Sequence, residues 1–568
     1  MRLFFRLLPI PLALFLYLVN NLGIWNAWQN APDGYIPQMM PRANGVAAQV
    51  VWFTGFRDQW FLPNYQGPWT SAAVFFNPLK FAVGRLAAFL NWEVESSYIL
   101  FVILIYIFTT YCFAYSLHTF LDTPRQRIAG VLAAICAMPL AAVWVLPAVL
   151  RGRFSRSGLG DFVWWTADGY FHGISGSLSS VFGTGITLLA MSLVARYADS
   201  GDRRYLRLAG VAAFFSGIVH PFEVFVITIG GSVALALRDG AAQAPRQWRR
   251  AFAETLLLAG PGALAVSWYV VQALRSEWLR DQASVLKWDP GSPLRVLAML
   301  GLPAILSIVL MALQPRFVNF RERLLGTWIL TVSIGIYVPI FHWAQHFFDG
   351  IHYAAAMFAV LRAGAWAGAA GSPAWRAKAA WTALGCATVL FLPAHVAYRV
   401  QAMRDGNSPR PAAVHSALQP KAERDAILWL RSHARRSELV LAPRVHAGWL
   451  AAVPMHSFAS HFHFSLTYQQ QAALSDAFFA GKLNETEAAS LLETYGVSYL
   501  VIPADSPGLR YLGSRIPTEV LGPLRLYHFP ERLMKPYPGL AAARKIRLAG
   551  SPAGAALEAK DIDDRERQ

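Results

Sequence analysis

The feature that most constrains this chain is a series of apolar runs, each about as long as a membrane-crossing helix, recurring from residue 3 to about residue 401. A hydrocarbon core about 30 Å thick needs roughly 20 mainly apolar residues per helical span, and backbone groups inside lipid must be satisfied within the helix itself. A composition of 55% hydrophobic and only 15% charged residues lies outside the range of ordinary soluble domains. The expectation is a polytopic α-helical membrane protein. Spans are expected over Leu3 to Trp25 and near 97–120, 128–150, 174–196, 252–274, 294–313, 324–343, 351–371 and 379–401. The stretch 206–237 is broken in its middle; counted as two it brings the total to about eleven transmembrane helices by the length rule. The charged start and apolar stretch at the N-terminus lack a clear small-residue cleavage site after Trp25, so a retained first helix is expected.

The formal net charge is +17, which in a soluble protein would raise the question of nucleic acid. Here the basic residues fall in short loops rather than one stripe. Arg2 and Arg6, Arg125 and Arg127, Arg203, Arg204 and Arg207, Arg246, Arg249 and Arg250, Arg316, Arg321 and Arg323, and Arg376 with Lys378 occupy alternate loops. That is the positive-inside pattern. It puts the N-terminus in the cytoplasm and the chain after residue 401 outside, argues against nucleic acid, and suits a multi-pass protein of a bacterial cytoplasmic (inner) membrane. The three cysteines, Cys112, Cys136 and Cys386, sit singly in apolar runs and predict neither a disulfide framework nor a zinc site.

The first outside segment, 26–96, is rich in aromatic residues, Pro and Gly and reads as interfacial helices and loops. It opens with Asp33-Gly34-Tyr35. Chemistry on that side cannot draw on cytoplasmic nucleotides, so a substrate delivered by lipid is the natural expectation. A second outside loop, Arg151 to Gly173, holds Asp161 and Asp168 beside Arg151, Arg153 and Arg156. Guanidinium groups bind phosphate bidentately, and lipid headgroup contact is the alternative for these arginines.

The broken stretch carries His220-Pro221-Phe222-Glu223. Pro221 disfavours a helical His220 and lacks an amide donor, so a kink or turn is expected there. Ionisable residues at membrane depth are functional candidates, although a histidine before proline can simply satisfy a freed carbonyl. Further on, His342, His346, Asp349 and His352 form a denser set in which Gly350 interrupts the helix. Metal ligation, phosphate or sugar contact, and a plain span boundary are all open readings of it.

After about residue 401 the composition turns polar. A linker leads to a small α/β domain over 402–550, with helices at Ala422 to His433 and Asn484 to Tyr495 and strands at Glu438 to Ala442, Val497 to Pro503 and Leu524 to Phe529. The tail 551–568 reads as disordered. His456, His461 and His463 suggest a structural or acceptor-binding surface rather than a metal site, and Asn484-Glu485-Thr486 matches a glycosylation pattern of little weight in such a chain.

Asp33 after the first helix, the His220-Pro221 break, Phe348-Asp349-Gly350-Ile351-His352 before a late span, and the ending with Trp429-Leu430-Arg431-Ser432-His433 and Tyr495 to Val501 together resemble the GT-C superfamily of polytopic glycosyltransferases, in particular bacterial members of the dolichol-phosphate-mannose mannosyltransferase type. The resemblance implies sugar transfer from a polyprenyl-phosphate carrier to a glycan, lipid or protein acceptor. It further implies inversion at the anomeric carbon, a divalent cation (Mg or Mn), and Asp33 as general base or metal contact. Many members carry paired acidic residues where Gly34 follows here, which bears against tight metal binding by that loop. Asp161, Asp168, Arg151, Arg153, His220, Glu223, Asp349 and His352 are then the expected substrate-binding residues, with His220, Glu223, Asp349 and His352 converging on the cavity of Asp33. The rival expectation is a non-catalytic protein of the same fold, acting in lipid or polysaccharide transport or assembly.

Overall fold

A computed structural model describes residues 9–135, 178–238, 245–285, 302–338, 346–368, 418–443, 453–459 and 467–546, apart from 21, 38–43, 66, 72, 314–315 and 348, together with scattered positions between 292 and 403. The expected sites Arg151, Arg153, Asp161 and Asp168 lie outside the described residues, as do His342, His461 and His463.

Among the described residues three helices are long and apolar enough to cross a membrane: Val94–Phe120, Ser179–Ser200 and Arg249–Arg275. Two shorter apolar helices, Pro221–Ala236 and Pro303–Ala312, accompany them. The expected count of about eleven is not confirmed: the described helices Arg203–Val219 and Phe320–Gly335 are shorter than a full span, and 136–177, 339–345 and 387–399 lie outside the described residues. The chain divides into two compact units.

The first unit comprises Met1–Leu22, Leu100–Val270 and Lys287–Met403. Its centre is the helix Ile351–Gly368, in which every residue from Ile351 to Arg362 is buried. A helix apolar on all sides belongs in an interior, and the run Tyr353-Ala354-Ala355-Ala356-Met357 lets neighbours approach closely, as small residues do between membrane helices. Hydroxyls that also bond a carbonyl of their own helix join one helix to the next. Ser116 Oγ lies 2.8 Å from Ser192 Oγ, Ser307 Oγ donates to the Ala355 carbonyl (3.0 Å), and Thr327 Oγ1 donates to the Gly230 carbonyl (3.0 Å). Arg362 is the charged exception; it is paired at 3.3 Å with the equally buried Glu322.

The second unit comprises Gly23–Ile99, Val271–Leu286 and Arg404–Gln568. Its sheet has five strands: β3 (Leu439–Leu441), β4 (His456–Ser457), β5 (Val497–Pro503), β6 (Glu519–Leu521) and β7 (Leu524–His528), in the order β4-β3-β5-β7-β6. The β4, β3 and β5 strands are parallel, while β7 and β6 close the sheet antiparallel. The central β5 is buried along nearly its whole length, which explains its mainly apolar sequence. Helices Lys421–His433 and Glu485–Thr494 stand where the sequence places them; Asn484 caps the latter in a reciprocal capping box with Glu487. A separate ribbon joins β1 (Tyr35–Pro37) to β2 (Leu418–Pro420) antiparallel. Ion pairs also join the early segment to the late one: Arg424 with Glu93 at 2.9 Å, Arg431 with Glu95 at 2.8 Å, and Arg436 with Asp58.

Candidate functional site

The His220–Pro221 break works as the proline requires. The helix Arg203–Val219 ends with His220 in an extended conformation (φ −150°, ψ 98°), and a new helix starts at Pro221, where a missing amide costs nothing. Val226–Gly230 then winds as a π-helix, a local widening frequent at functional sites. The Ile218 carbonyl receives the Tyr269 hydroxyl at 2.5 Å. The His220 Nδ1 lies 2.7 and 2.8 Å from the two carboxylate oxygens of Glu223, and both residues are buried.

A second histidine–acid pair of the same i,i+3 spacing faces this one. His346 Nδ1 lies 3.2 Å from Asp349 Oδ2. The His220 and His346 rings meet edge to face with centroids 4.9 Å apart, and Phe222 lies against both. Gly350, at φ +78°, takes a left-handed conformation that ends the turn holding His346 and Asp349 and lets the helix begin at Ile351. The Ser180 hydroxyl hydrogen-bonds to Asp349. The side chains of His346 and Asp349 keep 20% and 13% exposure, against 9% and 2% for His220 and Glu223, so the second pair is the accessible edge of the cluster.

One ligand-type atom from each of His220, His346 and Asp349 lies within 4.8 Å of the others. Of the expected substrate-binding residues, His220, Glu223 and Asp349 therefore come together. His352 does not belong to that set of three; it is buried in the first turn of its helix with its ring 4.1 Å from that of Tyr353. Gly183 was not foreseen from sequence. A Cβ at this position would fall 2.5 Å from Glu223 Oε1, so the missing side chain is the space the carboxylate occupies.

Asp33 belongs to the second unit. It is exposed in a turn closed by the Tyr35 amide donating to the Pro32 carbonyl (3.1 Å), with Gly34 at φ +81°. The Gly34 carbonyl accepts from the Lys421 amide (2.9 Å), and the β1–β2 ribbon follows. The turn is thus fixed on its far side, with the Asp33 side chain presented to solvent.

No family model and no curated protein matches the chain. Solved structures similar to it include ArnT from Cupriavidus metallidurans bound to undecaprenyl phosphate, with a TM-score of 0.49, 10% identity, and coverage of 92% of this chain and 97% of that one. The Archaeoglobus fulgidus oligosaccharyltransferase tethered with an acceptor peptide has a TM-score of 0.48 and 14% identity, over 89% of this chain and 70% of that one. The mycobacterial arabinofuranosyltransferase AftD has a TM-score of 0.45 and 15% identity, over 87% of this chain and 37% of that one. All three are GT-C glycosyltransferases, the superfamily that the sequence resembles. Nothing in these likenesses singles out the dolichol-phosphate-mannose type, and with TM-scores below 0.5 they carry no argument about what this chain binds or does.

Proposed function

We propose that this chain is a membrane glycosyltransferase that moves a sugar from a polyprenyl-phosphate carrier to a glycan, lipid or protein acceptor on the outer face of the cytoplasmic membrane. The observation that carries the reading is the cluster of two histidines and two carboxylates at a deliberate break in an apolar helical unit. Ionisable groups among membrane helices are costly, and a purely structural kink would not need four of them. In the reaction, the acceptor oxygen attacks the anomeric carbon as the bond from that carbon to the phosphate oxygen breaks. The polyprenyl phosphate leaves with the electron pair, and the acceptor proton passes to a carboxylate within hydrogen-bond reach. Asp33 is the proposed base, on the strength of its exposed setting after the first helix. Arg151, Arg153, Asp161 and Asp168 are proposed to hold the donor phosphate or a divalent cation, magnesium or manganese.

A non-catalytic role in lipid or polysaccharide transport or assembly is the second reading, favoured by the single acid at Asp33 in an ordinary glycine turn. The test is transfer by the purified protein in lipid nanodiscs from a polyprenyl-phosphate carrying a labelled sugar. Asp33→Asn and Asp349→Asn should each abolish transfer while the protein keeps its elution profile and unfolding temperature. Full turnover by Asp33→Asn removes the assignment of the base, and no turnover by any form supports the second reading.

A further inference from the structure

The geometry points to a binding site for one transition-type divalent cation, of the zinc class rather than magnesium, formed by His220, His346 and Asp349, with Glu223 orienting the His220 ring instead of ligating. The three ligand atoms lie within 4.8 Å of one another. Ligands about 2.0–2.2 Å from a common zinc ion in tetrahedral geometry stand about 3.4–3.6 Å apart, so a closing of roughly one ångström by side-chain rotation completes the site. The surroundings are those of a ligand site. Metal-bound histidines characteristically donate their other ring nitrogen to a carboxylate, which fixes the tautomer, and Glu223 stands at 2.7 Å from His220 Nδ1 in that role. Ser180 hydrogen-bonds to Asp349. Gly183 leaves room for the Glu223 carboxylate, and Gly350 sets the turn that presents Asp349.

Charge decides between this occupant and an anion. A phosphate placed at the cluster would face the carboxyl oxygens of both Glu223 and Asp349, whereas a cation is drawn to them. The donor set then decides which dication: magnesium favours six oxygen ligands and keeps its waters, while imidazole suits zinc, copper, iron or nickel. Three protein ligands are one short of the four that zinc takes, and the fourth position faces the accessible side of the cluster, where His346 and Asp349 are partly exposed. A water or an anionic group of a bound substrate fits there. The inference stands on geometry and does not depend on the transfer reaction.

The experiment uses the full chain in nanodiscs, stripped with chelator, reloaded with Zn²⁺ and freed of excess metal, with bound metal measured by mass spectrometry and Co²⁺ loading followed in the visible spectrum. About one zinc per chain should remain, resistant to millimolar Mg²⁺. The variants His346→Ala, His220→Ala and Asp349→Asn should lose it, while Glu223→Gln should weaken binding about 10- to 100-fold and His433→Ala, an exposed histidine of the second unit, should change nothing. Where an alanine variant fails to fold, His346→Gln and the wild-type Co²⁺ spectrum, with the intense bands of a four- or five-coordinate ion, decide. Wild-type protein that holds no more zinc than the His220→Ala/His346→Ala double variant, or that exchanges it freely for Mg²⁺, overturns the proposal. Because no sugar donor enters the measurement, failure here is separate from failure of the transfer reading.

Discussion

Replacing Gly183 by alanine adds one methyl group where the Glu223 carboxylate stands. An ideal Cβ there would lie 2.5 Å from Oε1, 2.6 Å from Cδ and 2.8 Å from Oε2, against ordinary carbon–oxygen contacts of about 3.3–3.6 Å. All three nearest atoms belong to one flexible side chain, so the helix need not move. Glu223 must instead turn away and give up His220 Nδ1. Losing a hydrogen bond to a charged group costs about 1.5–3 kcal/mol, and residual overpacking adds about 1 kcal/mol. Helix propensity works in the opposite direction, because Gly→Ala inside a helix gains about 1 kcal/mol. The net expectation is destabilisation by about 1–3 kcal/mol. In a Glu223→Ala background the overlap is gone, so the same Gly183→Ala change should stabilise by up to about 1 kcal/mol. A double-mutant cycle on the four proteins, read by reversible denaturant unfolding in detergent, should thus give a coupling of about 2 kcal/mol or more. Equal effects of Gly183→Ala in both backgrounds would refute the claim that Gly183 exists to admit the carboxylate.

Two further outcomes are expected. Lys80 lies in the second unit with Nζ 3.8 Å from the centroid of the Trp52 ring, and burial pushes its ammonium from the usual 10.5 down to about 7. Between about pH 7 and 10.5 the unfolded chain therefore holds a proton that the folded chain has released, so stability should rise with pH across that window, the penalty being fully present below pH 7. Lys80→Met should flatten this rise in an unfolding-temperature series, and a wild-type series as flat as the variant's would exclude a buried lysine. For topology, reporter fusions after Arg127 and after Arg424 should report opposite sides of the membrane; both on the cytoplasmic side would mean that the spans around His220–Pro221 are miscounted.

The sequence made legible those features that depend on local pattern. Apolar runs announced membrane helices, the β-rich stretch Val497 to Pro503 announced β5, and Pro221 announced the break at His220 because its constraint acts on its immediate neighbour. The i,i+3 spacing of a histidine and an acid appears twice, at His220/Glu223 and His346/Asp349, and was the readable signal of the cluster. The convergence of His220 and Glu223 with Asp349 was expected, but that His346 rather than His352 meets them there was not readable, since only the fold of the segment before Ile351 decides which histidine faces His220. Gly183 was equally hidden, because a glycine in an apolar run carries no sign of the carboxylate it admits. The same holds for the ribbon of Tyr35–Pro37 with Leu418–Pro420, whose strands are too short to show a period and whose partner is remote in sequence. Lys80 reads in sequence as a lysine reaching to water, the usual behaviour of long basic side chains at an interface. Its burial depends on the rings of Trp52 and Phe75, brought to it from two other segments.

The central claim is that this chain breaks the bond between a sugar and a polyprenyl phosphate. Its most direct test incubates the purified wild-type protein in nanodiscs with a panel of polyprenyl-phosphate-linked sugars and a mixed acceptor fraction from the cell envelope, and measures the free polyprenyl phosphate released together with labelled product. The account predicts release with at least one donor, in equal amount to glycosylated product, and none with Asp33→Asn. Absence of release from every donor, by protein shown to be folded and supplied with magnesium or manganese, would contradict it.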